Sequence, residues 1–168
     1  MLKLFRDRIN ALFQDERAMR YLMATLVFSM AVGMVGSVLN NYFYEVLHAD
    51  QLERGVIETP RELPGLLLVL IVALMAGLCE IGILRIAMAA GLAGVVGLLW
   101  LGEMRYPAIA MIVLWSLGEH VMMPVRRSVA LHMARPGKEG LAMGTAGSID
   151  SAGGLLGNFL VPGVCIGL

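Results

Sequence analysis

Four stretches of this chain contain no Asp, Glu, Lys or Arg: Tyr21–Tyr44, Leu63–Cys79, Ile86–Gly102 and Ser151–Leu168. Each approaches or exceeds the roughly 17–25 residues that cross a bilayer as a helix. A soluble fold of this size could not hide so much apolar surface: 58% of the chain is hydrophobic and 15% charged, against about 25% charged in an average soluble domain. The windows point to an all-α, polytopic transmembrane helix bundle, with the lipid bilayer as its first partner.

Taken in order, residues 1–20 read as a cytoplasmic N-terminal segment and residues 21–168 as the transmembrane domain. In the first segment Phe5, Ile9, Leu12 and Phe13 recur at helical spacing among Arg6, Asp7, Arg8, Asp15 and Glu16. That is the pattern of an interfacial amphipathic helix, or of a cytoplasmic extension of the first span. The uncharged run from Tyr21 is longer than the roughly 7–15 residues of a signal-peptide core, so the first helix is read as retained. Spans are expected over about 20–43, 64–82, 84–101, 108–128 and 140–168. Residues 45–62 read as a polar connection, with Pro64 in the first turn of the second span. Pro124 is expected to bend the fourth span near its inner end, before a basic turn from Arg126 to Lys138. Cys79 and Cys165 fall in apolar windows, which argues against a disulfide framework.

Counting cations by side orients the bundle. Lys3, Arg6, Arg8, Arg17, Arg20, Arg85, Arg126, Arg127, Arg135 and Lys138 fall on one side, and Arg54, Arg61 and Arg105 on the other, ten and three of the thirteen. By the positive-inside rule the N-terminus is cytoplasmic. The expected location is the plasma membrane of a bacterium, the inner membrane where there are two. The chain reaches Gly167-Leu168 with no polar flank, which reads as the N-terminal part of a longer protein. A C-terminal half, or a second copy, is then an expected partner.

Ionisable groups in a bilayer cost at least about 2.5–3.5 kcal/mol, so those that persist should face protein or water. Counted back from Ser128 and forward from Gly140, Glu119 and Asp150 fall about 14–15 Å into the membrane at 1.5 Å per residue. Glu119, His120 and Asp150 are therefore candidates for a central polar site taking a proton or a cationic group, or for an ion pair joining two helices. Asn40, Asn41 and Tyr44 are candidates for an aqueous cavity near the outer mouth. Gly33, Gly36, Gly144, Gly153 and Gly157 offer small surfaces for close helix packing, and Ala90, Gly94 and Gly97 give the third span a similar edge. Arg126 and Arg127 read as topology determinants, with a gate as the other reading. No metal site is expected, since Met122-Met123 has no nearby thiolate or His cluster. No nucleotide loop, zinc spacing or catalytic triad is visible, so neither an enzyme, a cofactor nor a nucleic-acid partner is expected.

The stretch Gly77-Leu78-Cys79-Glu80-Ile81-Gly82-Ile83-Leu84-Arg85 resembles the motif G-x-L-a-D-R-x-G-R-K between the second and third helices of major facilitator superfamily (MFS) transporters, keeping an acidic residue and one arginine. Gly144, Gly153 and Gly157 resemble the first three glycines of that family's antiporter motif, with Asn158 at the proline and Val161-Pro162 at the final glycine pair. Glu119 and His120 stand where the family's proton-coupling motif has a mid-membrane arginine. The resemblance covers nearly the whole chain as an N-terminal half with five spans. It implies part of a secondary active transporter that moves a small solute or ion by alternating access, open to ion or proton coupling, with Glu80 and Arg85 in gating. A different class, a small membrane scaffold or accessory subunit packing against partner helices, also fits the glycine faces.

Overall fold

The computed structural model describes residues 2–166, with side chains over 6–161. It is all-helical, 85% helix with no strand among the described residues. The helices are α1 (Leu2–Leu12), α2 (Ala18–Glu45), α3 (Gln51–Leu66), α4 (Leu68–Leu74), α5 (Glu80–Leu101), α6 (Arg105–Met133) and α7 (Glu139–Ile166). Among the described residues α2, α5 and α6 are long and apolar enough to cross a membrane. α7 is as long as α2, at 28 residues. The chain divides into two compact units, residues 1–39 with 126–168 and residues 40–125.

In the first unit the apolar face of α1 is turned inward. Ile9 and Phe13 are buried with Ala18, Leu22, Ala130, Ala134, Ala142 and Ala146. The segment is thus neither an extension of α2 nor a helix with its apolar face on lipid: it breaks at Phe13 and packs on protein. Phe5 lies outside the described side chains. Arg135 fixes the break. Its backbone amide donates to Leu12 O at 2.8 Å, and its Nε donates to Asn10 O at 3.0 Å and Phe13 O at 3.1 Å. A cation on the last carbonyls of a helix satisfies orphan acceptors and complements the helix dipole.

α2 and α7 meet through glycine. A Cβ on Gly153 would lie 2.6 Å from Leu26 O and 2.8 Å from Ser29 Cβ; one on Gly157 would strike the Met30 carbonyl, and one on Gly33 the Gly154 carbonyl. Backbones that close need residues without side chains, the usual device for helix association in lipid. Gly36 and Gly144 differ, with nothing within 4 Å of an added Cβ.

α6 runs on to Met133, so Arg126 and Arg127 sit within a helix and not in the expected basic turn. Pro124 lies inside the same helix; losing one amide donor does not end it. The chain reverses later, at Pro136 and Gly137, whose φ of 76° is left-handed and favours glycine. Counting depth for Glu119 from Ser128 therefore starts from the wrong residue, because the helix extends beyond it.

In the second unit α5 and α6 also pack on glycine. A Cβ on Gly94 would meet Trp115 N at 2.5 Å and Met111 O at 2.6 Å, and one on Gly118 would strike the Ala87 carbonyl. The region expected as a polar connection is helical. Asp50 opens α3 with a capping box, its side chain accepting the Glu53 amide at 2.8 Å while Glu53 Oε2 accepts the Asp50 amide at 3.2 Å. Pro60 and Pro64 both lie inside α3, not at the head of a second span. The expected span over 64–82 is instead the tail of α3, a break at Leu67, the short α4, and a turn over 75–79. Pro64 has no amide to donate, and Leu67 leaves helical geometry at φ −88°, ψ 5°.

Candidate functional site

The second unit holds a polar cluster on the inward side of α3. Along this helix Leu52, Val56, Leu63 and Leu66 are exposed, the first and last at 80%. On the opposite side Ile57 and Pro64 are buried, and Arg54, Glu58 and Arg61 are partly buried with them. The usual arrangement of a surface helix is therefore inverted, with apolar residues outward and charges inward. Such a helix suits an apolar surround. Leu74, Trp100 and Tyr106, all more than 80% exposed, extend this apolar exterior.

The inward charges are paired. Arg61 Nε donates to Glu58 Oε2 at 2.5 Å and Arg61 Nη2 to Glu62 Oε1 at 2.5 Å. Glu62 Oε2 stands 3.4 Å from His120 Nε2 on α6. Ser116, fully buried, donates its hydroxyl to Arg61 O at 2.5 Å and lies 3.1 Å from His120 Nδ1. Near the ends of the helices Arg105 pairs with Glu53 at 2.7 Å, and Arg54 donates to Asn40.

The first unit holds a different cluster. Arg126 Nη1 donates to Asp150 Oδ1 at 2.8 Å and to Ser29 Oγ at 3.3 Å, while Ser29 Oγ also contacts Asp150 Oδ1 and donates to Thr25 O at 2.8 Å. The guanidinium lies 4.8 Å from the centre of the Phe28 ring, a cation–π contact. Tyr21 Oη donates to Arg126 O at 2.8 Å. Gly153, one turn after Asp150, lets α7 approach α2 closely enough for Ser29 to reach the carboxylate. An arginine keeps its charge at any accessible pH, so this cluster is built on a cation that does not titrate.

The expected residues are distributed over these surroundings. Asp150 meets Arg126, which the sequence offered as a topology determinant or a gate. His120 meets Glu62, and half-buried Glu119 lies beside it on α6. Glu119 belongs to the second unit and Asp150 to the first. Asn40 accepts from Arg54; Asn41 and Tyr44 are exposed, Tyr44 at 75%. Glu80 opens α5, while Arg85 and Arg127 are exposed. Sequence reading passed over Tyr21, Ser29, Arg61, Glu62 and Ser116. One signal was available for the α3 residues: Leu52, Val56, Leu63 and Leu66 lie at steps of three, four or seven, with charges between them.

Outside the spans, Glu139 accepts from its own backbone amide and from that of Gly137, at 3.0 Å for the latter, which holds its carboxyl below the usual carboxylate range. Among the described residues no group of three or more His, Cys, Asp or Glu is placed to hold a metal ion. No protein-family model, curated protein or solved structure matches the chain.

Proposed function

We propose that this chain is part of a secondary active transporter of the MFS type, in a bacterial plasma membrane with its N-terminus in the cytoplasm. In this reading it moves a small solute or ion by alternating access. The two spans beyond α2, α5 and α6 are α7 and the α3–α4 segment, giving the five-helix N-terminal half. The observation that carries the proposal is the pair Arg126–Asp150 set among apolar helices, on residues whose side chains are 13% and 42% exposed. Ion pairs are costly at membrane depth and tend to mark solute or ion pathways. The glycine contacts hold α2 and α7 together around that pair.

The test is accumulation of a panel of small charged solutes by cells expressing the intact transporter of which this chain is read as the N-terminal half. The expected outcome is a solute whose uptake requires expression and falls at least tenfold in Asp150→Asn, a loss of about 1.4 kcal/mol or more. A panel with no expression-dependent uptake would sink the transporter reading. The open faces at Gly36 and Gly144 favour a second reading, a membrane scaffold that seats a partner helix there. In that case Gly36→Leu and Gly144→Leu would abolish co-purification of a membrane partner.

A further inference from the structure

The hydrogen count around His120 leaves one proton to be supplied. A serine hydroxyl has one hydrogen, and that of Ser116 is committed to the carbonyl of Arg61 at 2.5 Å. Toward His120 Nδ1, at 3.1 Å, Ser116 Oγ can therefore only accept. The other neighbour of Nδ1 is the Ser116 carbonyl at 2.9 Å, which also only accepts. Nδ1 must carry a hydrogen. In a neutral ring Nε2 then presents a lone pair, and it faces the Oε2 of Glu62, which when ionised presents lone pairs as well. Two acceptors do not attract one another. The contact is favourable only when a proton sits on one of them.

Charge gives the same answer independently. Glu58 and Glu62 share the single cation Arg61, so the α3 cluster is one positive charge short. On α6 the neighbouring Glu119 adds no cation, and α5 approaches that helix at Gly118 through the backbone of Ala87 and Gly91. One proton between His120 and Glu62 balances Glu58, Arg61 and Glu62, the linked trio of α3. The backbone is shaped for it: a Cβ on Gly65 would lie 2.7 Å from His120 Cδ2 and 2.8 Å from Nε2, so glycine there admits the edge of the ring that carries the proton.

We propose that His120 and Glu62 form a binding site for one proton, which fastens α3 to α6 when occupied and releases α3 when empty. When loaded, the charged ring and the Glu62 carboxylate form an ion pair, Nε2 to Oε2 at 3.4 Å. On unloading, the proton leaves by way of the Glu62 carboxylate, 49% exposed against 18% for His120, and the ring remains neutral with its hydrogen on Nδ1. The backbone carbonyl of residue 116, with the Ser116 hydroxyl beside it, fixes this tautomer. The site does not depend on the chain being a transporter.

The experiment uses the full chain in lipid nanodiscs, with nitrogen-15 histidine spectra to read the tautomer and amide exchange over α3, corrected for intrinsic base catalysis. Neutral His120 is expected to carry its hydrogen on Nδ1 in the wild type, in Glu62→Gln and in Ser116→Ala, where the backbone carbonyl of residue 116 still accepts. Raising the pH from about 5 to about 9 should speed exchange of the α3 amides about two- to fivefold in the wild type, as one partly exposed ion pair is lost. In Glu62→Gln exchange should be insensitive to pH, because the glutamine amide donates to the Nε2 lone pair without a titrating proton. Neutral His120 protonated on Nε2 would overturn the proposal. So would α3 exchange that is flat in the wild type, or that rises equally in Glu62→Gln.

Discussion

The two polar clusters of this chain solve the same problem with different chemistry. In the first unit Asp150 is answered by Arg126, and the helices that bring Ser29 to it touch at Gly33, Gly153 and Gly157. In the second unit two carboxylates and one arginine are completed by a histidine, on a helix carrying two prolines and a full capping box. A guanidinium stays charged across the accessible pH range, whereas an imidazole gains and loses its charge within it. The first arrangement is suited to a permanent link between helices, the second to one that responds to conditions. The difference arises in the sequence, where Arg126 supplies a full complement to one carboxylate and Arg61 must serve two.

The largest expected effect breaks the permanent link. Arg126→Leu leaves Asp150 without its cation. Removing one partner of a buried pair costs about 3–5 kcal/mol, discounted here to about 2–3 because the carboxylate is 42% exposed. The double variant Arg126→Leu with Asp150→Asn should recover most of that loss, since it leaves no unpaired charge. Unfolding of the three proteins in mixed micelles measures this. A double variant no more stable than Arg126→Leu would mean that the guanidinium matters through Phe28 and not through Asp150.

The glycine contacts come next. Gly157→Ala should cost about 1–3 kcal/mol, because its Cβ meets the backbone of Met30, which cannot swing aside as a side chain would. Gly94→Ala should cost a similar amount in the second unit, against Trp115 N and Met111 O. Gly36→Ala is the control. With nothing within 4 Å of its Cβ and a helical setting, it should be neutral or stabilising by about 0.5–1 kcal/mol. Equal losses at all three would show that helix propensity, not close approach, governs these positions.

Much of this was legible in the residues. The uncharged windows located α2 and α5, and the small residues at Gly33, Gly153 and Gly157 lie where two backbones meet. α3 was hidden by its own composition: Pro60 and Pro64 read as punctuation, and Glu53, Arg54, Glu58, Arg61 and Glu62 read as a solvated loop. Arg54, Glu58 and Arg61 lie on its buried side, inverting the rule that polar residues lie outside. The pairing of Arg126 with Asp150 was hidden for another reason. The turn was placed at the arginines, whereas Pro124 removes a single hydrogen bond and the helix continues past it to Met133. Contacts such as Ser29 with Asp150 depend on how helices cross, and no local spacing encodes that.

A smaller effect concerns His48, a non-glycine residue with positive φ, 47°, after the end of α2. Its left-handed backbone costs a residue with a Cβ roughly 1 kcal/mol. His48→Gly should therefore stabilise the second unit by up to about 1 kcal/mol, reduced by the greater freedom glycine has when unfolded. Thermal unfolding would show a small rise. A fall would mean that the imidazole makes a contact worth more than the strain.

The smallest expected effect is in the turn between α6 and α7. Glu139 is held below the usual carboxylate range by its own amide and that of Gly137, so its ionised form favours the folded turn. For a group whose folded value is depressed, the contribution is complete above the unfolded value of about 4.3 and is lost as the pH falls through the folded value. Protection of the Gly137 amide from exchange should thus decline in the wild type as the pH drops below about 4. In Glu139→Gln, where the acceptor is a neutral amide oxygen at every pH, protection should be weaker throughout and show no such decline.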